Sequence, residues 1–248
     1  MTPLGDARAA LAFLTRIPVH DGRPFDEARL SRAALWFPAV GLVVGVVMGA
    51  TRLLSDLALD TPAATLLALL AAILITGGFH EDGLADAADG VGAHVPRARK
   101  LEILRDSRVG TYGALAVVFM VLFPYVVLVE LDGEHFLRAA LAAHVLGRWS
   151  TVPQSWLLGS ARPDGAGALV RAGARVTLAA SAYTVVLVLA LGGLAPGAVA
   201  LGVAVALTVL GGAFFARVLG GVSGDTFGAV NKIVELGTYA ALGAMWAA

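Results

Sequence analysis

Thr61-Pro-Ala-Ala-Thr-Leu-Leu-Ala-Leu-Leu-Ala-Ala-Ile-Leu-Ile-Thr-Gly-Gly-Phe79 runs directly into His80-Glu-Asp-Gly-Leu-Ala-Asp-Ala-Ala-Asp-Gly-Val-Gly92. The first part is apolar over about the length that crosses a hydrocarbon core of roughly 30 Å. The second crowds His80, Glu81, Asp82, Asp86 and Asp89 onto the end of that run. At about 100° per residue, Asp82, Asp86 and Asp89 fall within roughly 60° of one another, so a helix here projects three carboxylates from one face. Like charges this close repel, and oxygen-only ligands suit Mg²⁺ or Mn²⁺ better than zinc.

Five further runs resemble the first: residues 34–54, 113–131, 139–158, 176–194 and 196–216. A seventh, 236–248, is short and spans only by borrowing the more polar residues before it. With 58% hydrophobic and 15% charged residues, the 248-residue chain departs from a soluble average of about a quarter charged. The fold class expected is all-α, a polytopic integral membrane bundle of about six to seven transmembrane helices, forming one domain over residues 1–248. Residues 7–17, with Arg8 and Arg16 among small apolar side chains, fit an amino-terminal amphipathic helix in the headgroup layer.

Composition removes several function classes. No cysteine is present, which excludes disulfides and thiolate metal sites. Acids among the first thirty residues and a short apolar stretch argue against a cleavable leader. Zero net charge without a basic stripe argues against nucleic acid as a partner. Threading six spans from an inside amino terminus places fifteen of the eighteen Lys and Arg residues on one side, expected to be cytoplasmic, together with the acidic stretch. Gly41, Gly45 and Gly49 recur at a spacing that lets helices approach closely, and packing is their expected role.

Three other constellations carry chemistry. Lys100-Leu-Glu-Ile-Leu-Arg-Asp-Ser-Arg-Val-Gly-Thr-Tyr-Gly113 sets Arg105, Asp106, Ser107 and Arg108 before a glycine turn. Its cations suit phosphate oxygens, whereas Arg97, Arg99 and Lys100 read as a membrane anchor. Arg148 lies midway along the fourth run, four residues after His144; it either pairs with an acid to hold two helices or meets a substrate phosphate. Gly220-Gly-Val-Ser-Gly-Asp-Thr-Phe-Gly-Ala-Val-Asn-Lys-Ile-Val-Glu235 offers Asp225, Asn231 and Glu235 as oxygen ligands or nucleotide contacts. The plainer alternative makes Asp225 a helix cap and Lys232 to Glu235 a local ion pair. His80-Glu81 is no zincin motif, since position 84 is Leu84.

These segments, Thr76 to Gly90, Glu102 to Gly113 and Gly220 to Ala229, resemble the signature segments of the adenosylcobinamide-GDP ribazoletransferase (cobalamin-5′-phosphate synthase) family. Phe13-Leu-Thr-Arg-Ile-Pro18, Phe37-Pro-Ala-Val-Gly41 and Gly147-Arg-Trp149 extend the likeness nearly end to end. The resemblance implies a multi-pass enzyme of the cell inner membrane, with its site facing the cytoplasm. It would join adenosylcobinamide-GDP to α-ribazole or its 5′-phosphate and release GMP, with Mg²⁺ as cofactor. On that reading Asp82 and Asp86, with Asp89 or Glu81, hold the metal. A remaining acid or His80 takes the hydroxyl proton, and Arg105 and Arg108 bind the departing phosphate. A homo-oligomer stays open. Two other classes are compatible with parts of the pattern. A CDP-alcohol phosphotransferase pattern resembles Asp82-Gly-Leu-Ala but departs from this sequence after it. An ion-coupled transporter would set its acids near the bilayer midplane.

Overall fold

The computed structural model describes residues 2–162 and 165–246, and among them every regular element is helical apart from a single bridge between Ser160 and Val222. The helices are α1 (Pro3–Leu14), α2 (Glu27–Ala33), α3 (Phe37–Ser55), α4 (Thr61–Thr76), α5 (Phe79–Gly92), α6 (Arg97–Ile103), α7 (Thr111–Leu128), α8 (Gly133–Leu157), α9 (Ala174–Gly192), α10 (Leu194–Leu219) and α11 (Gly224–Trp246). Each of the six expected spans is centred on a different helix, although the 61–79 run passes a break at Gly77 and Gly78 and ends on the first residue of α5. The doubtful seventh is the end of α11, which begins at Gly224 and does include the polar residues preceding the terminal run.

Four stretches are long and apolar enough to cross a membrane by themselves: Glu27–Ser55, Thr111–Leu128, Ala174–Gly192 and Leu194–Leu219. Taken as one unit, α4 and α5 would be a fifth, but they meet at 88°. Helices α8 and α11, of 25 and 23 residues, reach about 35 Å at about 1.5 Å per residue. Ionisable residues lower their hydropathy, and of these His144 and Arg148 of α8 and Glu235 of α11 are buried in the bundle.

The packing is that of a membrane protein, with small or polar side chains inside and large apolar ones outside. Ala139, Ala140, Ala142 and Ala143 of α8 are fully buried, making α8 the axial helix. Leu70 and Leu74 of α4, Phe119 and Leu122 of α7, and Val209 and Leu210 of α10 are exposed around the perimeter. The α3 glycines do pack, as their spacing predicts: Gly41 meets the His144 carbonyl, and a Cβ on Gly45 would lie 2.7 Å from the Leu141 Cα. Helix α1 is not only a surface element. Its Ala9, Ala10 and Leu14 are buried in a cluster with Leu30 and Ala33 of α2 and Phe37 of α3.

The bundle has two chemically different ends. At one, the His135 and Trp246 rings lie 4.8 Å apart and buried Arg52 pairs with Asp56 at 2.9 Å. The other collects α5, α6, the start of α11 and the acids.

Candidate active site

Two consecutive left-handed glycines make the bend that creates the site. Gly77 (φ 68) and Gly78 (φ 71) end α4 with N–H bonds back to Leu74 and Ile73, and α5 departs across the end of the bundle. An L side chain is strained at such φ values, so the Thr76-Gly-Gly-Phe79 sequence is what permits the turn. Glu81 and Asp82 then occupy the first turn of α5, where the helix dipole favours negative charge.

Helix α5 buries His80, Gly83, Leu84, Ala87 and Gly90, and leaves Asp82 exposed and Asp86 half-buried. Gly83 seats it on α11: a Cβ at Gly83 would be 3.1 Å from the Asp225 Cα, and one at Gly228 would be 3.3 Å from the Gly83 Cα. This crossing brings Asp225 to the acidic face of α5. Burial, then the charges of Asp82, Asp225 and Asp89, push the Asp86 carboxyl up to about 7. A site that resists full ionisation in this way has the electrostatics of one awaiting a cation.

The expected acids do not all converge. Both oxygens of Asp89 accept backbone hydrogen bonds, from Gly110 N–H at 2.6 Å and Gly113 N–H at 2.9 Å. Asp89 therefore caps α7, whose own N-cap is a glycine with no side chain to offer. Glu81 turns inward to Lys232 at 2.9 Å. Each of these two carboxylates is thus engaged by protein groups. Among the described residues no three His, Cys, Asp or Glu side chains form a ready-made metal cage.

Behind α5 runs a buried ionic chain. Lys232 bridges Glu81 and Glu235, the latter at 2.5 Å, and Glu235 also meets His144 at 2.9 Å and Arg148. Arg148 and Glu235 are 2% and 1% exposed. Of the two readings left open for Arg148, the helix-to-helix pair is the one realised: α8 and α11 are joined there, away from the cleft. Asn231 is fully buried, and neither polar atom of its side chain finds a partner. His80 is likewise buried with Nδ1 unpartnered, on the α11 side of α5 rather than the acidic side. Neither reaches the cleft described below.

Asp225 is not the cap of α11. Ser223 and Thr226 cap that end reciprocally, Ser223 N–H donating to Thr226 Oγ1 at 2.7 Å. The Asp225 carboxylate accepts instead from Arg162 Nη2 at 2.6 Å and Ser223 Oγ at 3.3 Å. Arg162 is the residue that sequence reasoning missed. It is brought in by the Ser160–Val222 bridge, whose partners are joined by Ala161 N–H to Val222 O and Val222 N–H to Gly159 O, both 2.8 Å.

Arg105, Asp106, Ser107 and Arg108 lie on the α6–α7 connection. Arg108 is 87% exposed and pairs with Asp106 at 2.6 Å, which holds the Asp106 carboxyl down at about 2. Arg105 and Ser107 are exposed as well. The connection is tethered to α5 through Asp89, and its Val109 reaches the cleft, but the expected phosphate cations do not line it.

That cleft, of about 650 Å³, opens beside the bend. Its lining includes Phe13, Arg16, Gly77, Phe79, Asp82 and Val109.

A bundle with several helices apolar enough to cross a membrane, and with a cleft edged by Asp82 at the bend of a broken helix, defines a class of polytopic helical membrane protein. The chain belongs to the cobalamin-5-phosphate synthase family, whose profile matches residues 6–243. It is 39% identical over 241 residues to the adenosylcobinamide-GDP ribazoletransferase of Bradyrhizobium diazoefficiens, covering 94% of this chain and 91% of that one. The proteins of that name from Klebsiella pneumoniae (39% over 234 residues) and Escherichia coli (38% over 238) are each covered to 95%, with 92% of this chain aligned in both cases. No solved structure matches.

Proposed function

We propose that this chain is an adenosylcobinamide-GDP ribazoletransferase of the cell inner membrane, with its cleft facing the cytoplasm. The acceptor is α-ribazole or its 5′-phosphate, and Mg²⁺ is the cofactor. The observation that supports this best is the pair Asp82 and Asp86, one turn apart on α5 beside the cleft, in a chain similar end to end to proteins bearing that name.

In the reaction, the oxygen of a ribose hydroxyl that is free in both acceptors, and so not the 5′ one, bonds to the cobinamide-linked phosphorus. The bond from that phosphorus to the oxygen of GMP breaks, and the hydroxyl proton passes to a base. The donor chemistry of the cluster fits Mg²⁺, which is commonly held by one or two carboxylates, with waters and substrate phosphates completing its shell. Asp82 and Asp86 would hold it, with Asp225 adding charge beside them. Bound there, it supplies neutralisation of the diphosphate and of charge building on the departing GMP.

The chain's own residues do the rest. Arg162 keeps the Asp225 carboxylate oriented across from Asp86. Asp89 fixes the start of α7 and hence the cleft wall at Val109. Lys232 holds Glu81 away from the cluster, so that α5 presents two acids rather than three.

The test is GMP release. Purified protein given adenosylcobinamide-GDP, α-ribazole and Mg²⁺ should release GMP and form the corrinoid product, and chelation should stop it. No release under any metal would exclude this reading.

A further inference from the structure

We propose that Arg16, seated on Gly77, is the cation that binds the phosphates of the nucleotide-linked substrate in the cleft. This rests on the reading of the cleft as the substrate site. It replaces the arginines of the α6–α7 connection in that role.

Among the described residues lining the cleft, Arg16 is the one cation. Glu81 and Asp82 also line it, but Glu81 is neutralised by Lys232, which leaves Asp82 and Arg16 as its free charges. A diphosphate needs positive charge on more than one side, and a cation held by α5 would supply only one of them. Arg108 is exposed and already paired with Asp106.

Arg16 is held for the task. Its backbone N–H donates to the Ile75 carbonyl at 2.7 Å, pinning the segment after α1 to the last turn of α4. Its guanidinium stem lies on Gly77, where an added Cβ would be 2.9 Å from Arg16 Cζ and 3.0 Å from Cδ. Gly77 thus has a second reason to lack a side chain besides its φ of 68. The guanidinium itself makes no hydrogen bond or ion pair among the described residues and is exposed. A planar, always-charged donor on a fixed backbone, open to a cleft and unpaired, is the arrangement that recognises phosphate oxygens.

A phosphate oxyanion also heads each phospholipid, and the experiment separates the two sources. GDP binding to the full-length protein in lipid-free detergent should weaken about tenfold in Arg16→Gln, with Arg16→Lys intermediate, a loss typical of one charge-assisted contact. The KM for the GDP-linked substrate should rise by a similar factor while that for α-ribazole stays put. Gly77→Ala, which crowds the guanidinium, should act in the same direction. Unchanged GDP affinity in Arg16→Gln overturns the inference, and so does an effect confined to retention of anionic lipid. Wild-type protein that binds GDP through Arg16 yet releases no GMP overturns the transferase reading and leaves this one standing.

Discussion

Gly83 of α5 lies against Gly228 of α11, so close that a Cβ on Gly228 would be 3.3 Å from the Gly83 Cα and 3.2 Å from the His80 carbonyl oxygen. Asp82 and Asp225 are the neighbours of this contact, and the separation of the two helices sets how near their charges stand. Gly228→Val should force the helices apart. We expect turnover to fall at least tenfold with a thermal destabilisation of about 1–3 kcal/mol, the usual range for overpacking. Unaltered activity would mean that the α5–α11 distance does not matter to the chemistry.

Asp82→Asn deletes a charge and almost no volume. It should abolish GMP release while the protein still inserts, purifies and melts normally; turnover near the wild-type rate would remove Asp82 from the site.

Asp89→Ala should behave differently, because its carboxylate caps α7 across 21 residues of sequence. Loss of an N-cap costs about 1 kcal/mol. Thermal melts should register that loss while activity drops only partly, whereas a complete loss of activity with unchanged melting would return Asp89 to the metal shell.

The raised Asp86 pKa has a definite sign for stability. In the folded chain its carboxyl resists ionisation, so the penalty is absent below its ordinary value of 3.8, grows as pH rises, and is complete above about 7. Metal-free protein should lose about 1 kcal/mol from this group between pH 5 and pH 8, a figure reduced for solvent screening at a partly exposed site. Asp86→Asn should flatten that slope in chemical denaturation, and Mg²⁺ should stabilise the wild type more at pH 8 than at pH 5.

The buried chain makes the last mutational prediction. Glu235→Gln leaves Arg148 and Lys232 without their shared carboxylate inside the bundle, and removing one member of a buried ion pair costs about 3–5 kcal/mol. Poor yield and a sharply lowered melting temperature are expected; full stability would show that the chain is dispensable to the fold.

Helix existence was legible because each apolar run is long enough to cross a membrane, and the fate of residues 236–248 followed from their being too short alone. The carboxylate face of α5 was legible too, since a period of 3.6 residues is local information. What spacing could not give is which partner each acid finds. Asp89 is claimed by Gly110 and Gly113, Glu81 by Lys232, and Asp225 by Arg162, none of them on the same helix. Arg162 carries no motif and becomes visible only when the Ser160–Val222 bridge brings its loop over α11. Arg148 was ambiguous for the same reason, because its Glu235 partner is on another helix, whereas the Lys232–Glu235 pair could be read from its three-residue spacing.

The most direct measurement is Mn²⁺ binding to the purified, metal-free protein, followed by electron paramagnetic resonance. Wild-type protein should show a bound-Mn²⁺ signal that disappears in Asp82→Asn/Asp86→Asn and persists in Asp89→Ala. Undiminished binding by the double variant would contradict a divalent-cation site on α5.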